Sequence, residues 1–329
     1  MADAPAAAKI RAGVVGTGSI GRNHARILGE LDTCQFTAIY DTNEATAREI
    51  AARHGAKACS SMDEFLALVD AATVATPTPS HFATGTTLLE AGKHVLVEKP
   101  ITETTADARA LAELATERGL VLQVGHIERF NPVLSALETR LSRPRFIEVS
   151  RLSPYPGRSI EIGVVLDLMI HDLDLVLHLT GSVATEVRAS GLPVLSPHLD
   201  IANARVEFAN GAVALATASR VARERIRRLR LFQPNGYFSL DLATGAGEFM
   251  RLRPGWQPGT GRELADVVER IVLEAAEADA LALELQSFVH AVRGQRDVVV
   301  RGEQGRAALE LALRVADAVR TPPLALATH

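Results

Sequence analysis

Cysteine is almost absent: only Cys34 and Cys59 occur in 329 residues, far apart and without Cys-x-x-Cys spacing. A disulfide framework and a thiolate zinc cluster are both excluded, so the two read as small buried hydrophobes and no metal site is expected. Aromatic residues make up 4% of the chain, and no apolar run approaches the roughly 18 residues of a membrane span. The first nine residues, MADAPAAAK, carry Asp3 and Pro5 and lack a basic start followed by an apolar core, so no secretory signal is read there. The expected setting is a reducing cytoplasm without membrane contact. Neither sign of charge dominates: 35 Lys plus Arg stand against 39 Asp plus Glu, a net charge of −4 with no long block of like charges. That balance argues against a nucleic-acid partner.

What is present is ordinary globular material, 47% hydrophobic and 22% charged. At roughly 100–200 residues per domain the length suggests two domains. Short apolar runs at 10–15, 35–40, 72–75, 94–97 and 120–124 alternate with helical patterns at 23–31, 44–54, 83–91 and 106–118. Strands alternating with helices of this length imply parallel βαβ units in a doubly wound sheet, assigned to residues 1–125. From Phe146 the texture changes to β-rich runs at 146–152, 183–190, 204–208, 212–219, 227–232 and 237–242, with Asn210-Gly211 and Asn235-Gly236 between them. Both dipeptides favour positive φ and mark hairpins. Residues 126–329 are therefore expected to form an α+β domain with an open, mainly antiparallel sheet. One helix at 163–179 interrupts it, and helices at 281–292 and 303–319 close it.

Gly16-Thr17-Gly18-Ser19-Ile20-Gly21 follows a strand and opens a helix. Glycines there let the backbone approach a pyrophosphate, which rests on the helix's first N–H groups. Asp41 ends the next strand, where a carboxylate accepts hydrogen bonds from ribose hydroxyls and repels a 2′-phosphate, so NAD is expected over NADP. Glu98-Lys99-Pro100 ends another strand at the edge where open α/β sheets hold ligands. Asp167 and His171, four apart in an apolar helical pattern, share one side of that helix. They would serve proton transfer; the alternative is an Asp capping or pairing locally and a core histidine satisfied by a backbone carbonyl.

Taken together, Gly16-x-Gly18-x-x-Gly21, Glu98-Lys99-Pro100 and Asp167-x-x-x-His171 resemble the Gfo/Idh/MocA family of NAD(P)-dependent sugar oxidoreductases over nearly the whole chain. The resemblance implies a Rossmann domain followed by an open-sheet domain whose exposed face makes a homotetramer or homodimer. It implies catalytic roles for Lys99, Asp167 and His171 and a ribose-binding role for Asp41. Thr76-Pro77-Thr78-x-x-His81 matches the family's cofactor-flanking loop.

Gly125-His126-Ile127-Glu128-Arg129-Phe130-Asn131-Pro132 looks like the string in family members that oxidise C3 of UDP-N-acetylglucosamine, and in relatives acting on the corresponding uronic acid. It implies a nucleotide-sugar substrate, with His126, Glu128, Arg129 and Asn131 as candidate contacts. Read from the residues, a diphosphate needs cationic donors, which Arg129, Arg151 and Arg158 could supply in the segments entering the second domain, and Tyr155-Pro156-Gly157-Arg158 is a further candidate or an ordinary loop. The residues alone leave Arg129 equally open to a salt bridge with Glu128 or Glu98. A 3-oxo product is unstable and implies a consumer such as a pyridoxal-phosphate aminotransferase making a 2,3-diamino sugar for lipid A. An inositol or hexose substrate, or a non-catalytic NAD-binding regulator, are the alternatives. The run RERIRRLR at 223–230 lacks interleaved aromatics and reads as a solvated strand face or subunit patch.

Overall fold

The structure, a computed structural model, describes residues 9–155, 157, 162–257 and 263–319. In chain order its elements are β1 (Ile10–Val15), α1 (Ser19–Glu30), β2 (Cys34–Tyr40), α2 (Glu44–His54), β3 (Lys57–Cys59), α3 (Met62–Leu68), β4 (Ala71–Val74), α4 (His81–Glu90), β5 (His94–Glu98), α5 (Thr105–Glu117) and β6 (Leu122–Gly125). There follow α6 (Pro132–Glu138), β7 (Phe146–Leu152), α7 (Ile170–Thr180), β8 (Ala184–Leu192), β9 (Ile201–Phe208), β10 (Val213–Ser219), β11 (Ile226–Gln233) and β12 (Gly236–Asp241). β13 (Ala246–Leu252), α8 (Leu264–Val267), β14 (Val268–Leu273), α9 (Ala280–Val292) and α10 (Gly302–Ala318) complete the described chain.

Two compact units emerge. The first comprises residues 1–127 and 279–306, the second 128–278 and 307–329. In the first, six strands pair in the order β3-β2-β1-β4-β5-β6, parallel throughout. That is the Rossmann order, in which the chain reverses direction at β1 and leaves a crevice at the strand ends. Its central strands β4 and β5 are apolar without alternation, as burial on both faces demands, and all four residues of β4 are buried. Helix boundaries follow side-chain chemistry: Asn43 accepts from Thr46 N at 3.2 Å to start α2, and Gly55 ends it at φ +70°.

The domain division at 125/126 does not anticipate the return of residues 279–306 to the first unit. Leu281, Leu285, Phe288 and Val289 of α9 join the core of Val14, Ile27, Leu28 and Ile39. Burying such side chains is worth roughly 1.5–3 kcal/mol each, ample to dock a 13-residue helix. Helix α9 therefore does not close the second sheet, as its position late in the chain suggests. Two short elements of the first unit, β3 and α3, also lie outside the predicted pattern.

The second unit holds an eight-stranded sheet ordered β14-β13-β12-β11-β7-β10-β9-β8. Among the described residues only β7 and β10 run parallel in this sheet, and every other pair is antiparallel. Alternation is clear: Ile147 and Val149 of β7, Ala214, Ala216 and Ala218 of β10, and Leu229 and Leu231 of β11 face one core with α7 and the later part of α10. Glu148, Ser150, Leu215, Thr217, Arg228 and Arg230 take the opposite parity. β14, at one edge of the sheet, and its neighbour β13 add two to the predicted set. The helix predicted as continuous over 163–179 instead opens with a π-helical turn, Val165–Met169, before α7. Among the described residues no helix is long and apolar enough to cross a membrane.

Candidate functional site

The glycine turn between β1 and α1 is built as its sequence demands. Gly16 has φ +92°, and a Cβ there would lie 2.7 Å from the Ala75 carbonyl oxygen. A Cβ on Gly21 would fall 1.9 Å from the Gly16 carbonyl oxygen, whereas one on Gly18 would meet nothing within 4 Å. Gly18 caps α1 without a side-chain hydrogen bond, and the first turn, with Ser19 and Ile20, holds no acidic residue. An open helix start with its positive end unneutralised suits a pyrophosphate.

Asp41, at the end of β2, turns its carboxylate onto this loop. Oδ2 accepts from Thr17 N at 2.5 Å and Thr17 Oγ1 at 2.6 Å, and Oδ1 accepts from Asn43 N at 2.7 Å. Partial burial alone would raise this carboxyl, but the hydrogen bonds from Thr17 and Asn43 outweigh it and hold the group below its ordinary value. The acid is thus anionic and oriented before any ribose arrives. Thr17, absent from the sequence expectations, is the residue that orients it.

After β4, the Thr76-Pro77 loop is tied down by His81, the first residue of α4 and 1% exposed. Its Nδ1 lies 2.8 Å from the Pro100 carbonyl oxygen and its Nε2 2.8 Å from that of Thr76. One imidazole thereby joins the loop after β4 to the loop after β5, and Ser80 Oγ adds a 2.7 Å bond to Thr76 Oγ1. Glu98 ends β5. Its Oε1 lies 3.1 Å from His24 Nε2, and Oε2 accepts from the backbone N of Lys99 at 3.2 Å. Burial opposes ionisation of Glu98, yet His24 and Lys99 together hold its carboxyl below the ordinary value. Gly125 lies opposite it, and a Cβ there would sit 2.9 Å from the carboxylate and push the Glu98 side chain aside.

Glu284 of α9 completes a buried group with His24 and Glu98, their ligand-type atoms all within 4.8 Å of one another. Positions 24, 98 and 284 share no local pattern, so sequence spacing could not reveal the group. His126, directly after β6, is 1% exposed.

In the second unit, Asp167 lies in the π turn and His171 in the first turn of α7, both half-buried, while Val164, Val165, Met169 and Ile170 face the core. Single π turns recur at functional positions because the widened turn re-aims a side chain. Glu128 and Arg129 occupy a 3-10 turn, Ile127–Phe130. Among the described residues Arg129 pairs with Asp174 rather than Glu128: its Nε lies 2.9 Å from Asp174 Oδ2 on α7. Glu128 instead accepts from Arg151 Nη1 at 2.8 Å. Asn131 caps α6, accepting from Val133 N at 3.3 Å, and donates to the Leu242 carbonyl at 2.8 Å. Tyr155 is 36% exposed on the segment after β7, and Arg158 lies outside the described residues.

Known proteins agree with this architecture. Residues 10–126 match the family described as "Oxidoreductase family, NAD-binding Rossmann fold", and residues 137–239 match the Gfo/Idh/MocA C-terminal domain. The UDP-N-acetylglucosamine 3-dehydrogenase of Acidithiobacillus ferrooxidans is 40% identical over 311 residues, 94% of this chain and 97% of that protein. Its solved structure is similar with a TM-score of 0.87 at 39% identity, covering 94% of this chain and 98% of the other. The myo-inositol 2-dehydrogenase of Thermotoga maritima is 27% identical over 321 residues, 92% of this chain and 94% of that protein. Matches of this extent make the chain an oxidoreductase with an NAD-binding Rossmann domain. It belongs to the Gfo/Idh/MocA family.

Proposed function

We propose that the chain oxidises the C3 hydroxyl of UDP-N-acetylglucosamine to the 3-oxo sugar with NAD as acceptor. The observation that carries this reading is the likeness to the A. ferrooxidans enzyme, which spans 94% of the chain rather than its cofactor domain alone. The first domain would hold the dinucleotide through Gly16, Gly18, Ser19, Ile20, Gly21 and Asp41, flanked by Thr76, Pro77, His81 and Glu98; the second would hold the sugar.

Bound NAD supplies the hydride acceptor. His171 takes the proton of the reacting hydroxyl, and imidazole is the side chain whose ordinary pKa suits that exchange near neutrality. Lys99 donates a hydrogen bond to the same oxygen as negative charge develops on it. Asp167, one turn before His171, orients the groups around it. His126 and Tyr155 are assigned to the sugar side.

The 3-oxo product is a reactive ketone, and an aminotransferase that converts it to an amine on the way to lipid A is the proposed consumer, in the cytoplasm. The outward parity of the second sheet, with Leu215 and Thr217 among paired charges such as Arg230 and Glu148 at 3.1 Å, is the proposed surface of a homodimer or homotetramer. A light-scattering mass of one 35.2 kDa chain would refute that assembly.

The activity is tested by following NADH absorbance with NAD and a panel of UDP-N-acetylglucosamine, its uronic acid, myo-inositol and glucose, coupled to an aminotransferase and glutamate to draw off the ketone. Turnover of UDP-N-acetylglucosamine is expected. Turnover of inositol or glucose alone would discard the reading, and NADH binding without turnover of anything would favour a regulator.

A further inference from the structure

Immediately after His171, α7 presents two carboxylates, Asp172 and Asp174, that are 1% and 2% exposed. Each meets a buried arginine from another element. Arg151 of β7 holds Asp172 in a bidentate grip, Nε at 3.1 and 3.0 Å from the two oxygens and Nη2 at 2.7 Å from Oδ1. Its remaining nitrogen, Nη1, reaches Glu128 Oε1 at 2.8 Å. Arg129 Nε lies 2.9 Å from Asp174 Oδ2, with side chains 3% and 2% exposed. Glu128 also accepts from Asn131 Nδ2 at 3.3 Å and lies 3.5 Å from Arg227 Nη1 on β11. Two features of the sequence converge here: the Glu128-Arg129-x-Asn131 string, and one arginine of the basic run at 223–230.

Buried charges of this kind persist only when paired and hydrogen-bonded. Here Glu128, Arg129 and Asn131 are each engaged with protein groups, and the two ion pairs act on the helix that carries His171. At 3.6 residues per turn, positions 172 and 174 point about 200° apart around the helix axis. The apolar contacts of Ile170, Leu173 and Val176 are non-directional and resist rolling of α7 weakly. Directional guanidinium–carboxylate bonds on two sides fix its rotation.

We propose that Arg129–Asp174 and Glu128–Arg151–Asp172 form a buried ionic clamp that sets the rotation of α7 and thereby positions His171 and Asp167. Arg129 and Asp174 are positioning residues, and Arg129 is not a ligand of the substrate diphosphate. The proposal rests on the reading of His171 as the proton acceptor.

The test uses full-length protein carrying Asp174→Asn, Arg129→Met, or both, with rates normalised to NADH-binding sites so that loss of folded protein does not register. Misplacing a reacting group by an ångström costs on the order of 10²-fold, so each single variant should lower kcat by roughly 10–10²-fold while KM for UDP-N-acetylglucosamine and Kd for NADH stay within about twofold. The double variant should be no slower than the worse single variant, because both remove one contact. Amide hydrogen exchange should accelerate over residues 165–173 in Asp174→Asn and be unchanged in the first unit. Arg129→Met raising KM with kcat intact, unmatched by Asp174→Asn, would make Arg129 a substrate ligand and overturn the clamp. Wild-type kcat or wild-type exchange in Asp174→Asn would overturn it as well. If the unmodified protein turns over no UDP sugar, the substrate reading fails, and the exchange measurement still decides the clamp.

Discussion

Two alanine substitutions in one glycine turn should separate folding from cofactor binding. At Gly21 the new Cβ would lie 1.9 Å from the Gly16 carbonyl oxygen, about 1.5 Å short of ordinary van der Waals contact. The obstacle is backbone that cannot swing aside, because Gly16 sits at φ +92° and its N–H donates to the Tyr40 carbonyl at 2.9 Å. Overpacking against a fixed neighbour costs roughly 1–3 kcal/mol or more. At about 2–4 °C per kcal/mol for domains of this size, Gly21→Ala should lower the cofactor-free Tm by some 2–12 °C. At Gly18 the Cβ meets nothing within 4 Å and φ is −64°, a value any residue adopts. Gly18→Ala should therefore leave stability within about 0.5 kcal/mol of the parent, the loss of a tolerable N-cap offsetting a stiffer unfolded chain. Its methyl stands in the open space at the start of α1, so NADH Kd should rise at least tenfold, about 1.4 kcal/mol. Calorimetry without cofactor and fluorescence titration with NADH read the two effects. Wild-type affinity in Gly18→Ala would refute the placement of the pyrophosphate at this helix start, and an unchanged Tm in Gly21→Ala would refute the steric argument.

Further outcomes follow from other residues. Lys99→Ala and His171→Ala should each depress turnover by about 10²–10⁴-fold with NADH affinity nearly intact, and wild-type rates in both would remove them from the chemistry. Asp41→Ala takes away the oriented anion that Thr17 holds, so the preference for NAD over NADP should narrow in steady-state assays; parent enzyme that already uses NADP equally well would contradict the role given to Asp41. Burial would raise the Asp200 carboxyl, but Arg220 Nε at 2.7 Å and the backbone N–H groups of Val194, Leu195 and Ser196 hold it well below the ordinary range. A depressed folded pKa contributes stability that is complete above the unfolded value near ~3.9 and is lost as pH falls through the folded value. Denaturant titrations should accordingly show Asp200→Asn with a flatter loss of stability below about pH 4 than the parent; parallel acid limbs would exclude this contribution.

The Rossmann half was legible because its signals are local. Buried parallel strands such as β4 and β5 are apolar runs, and the glycine turn with Asp41 has a fixed spacing. β3 escaped because three residues carry no periodicity. β13 and β14 were hidden by their charges, which meet only after pairing: Arg251 Nη2 reaches Glu269 Oε2 at 2.5 Å, and Arg270 pairs with Glu248. The docking of α9 on the first core, and the pairing of Arg129 with Asp174 at 45 residues' separation, depend on tertiary structure alone. Spacing alone singled out Asp167 and His171 as candidates, but the π turn that carries Asp167 left no mark in the apolar pattern.

The most direct measurement of the central claim follows the hydrogen itself. UDP-N-acetylglucosamine deuterated at C3 is incubated with the protein and NAD, and the reduced cofactor is weighed by mass spectrometry. Hydride transfer from C3 predicts NADH one mass unit heavier, matched to the amount of 3-oxo sugar trapped as its amine. Reduced cofactor without deuterium, formed at the same rate from labelled and unlabelled sugar, would contradict oxidation at C3.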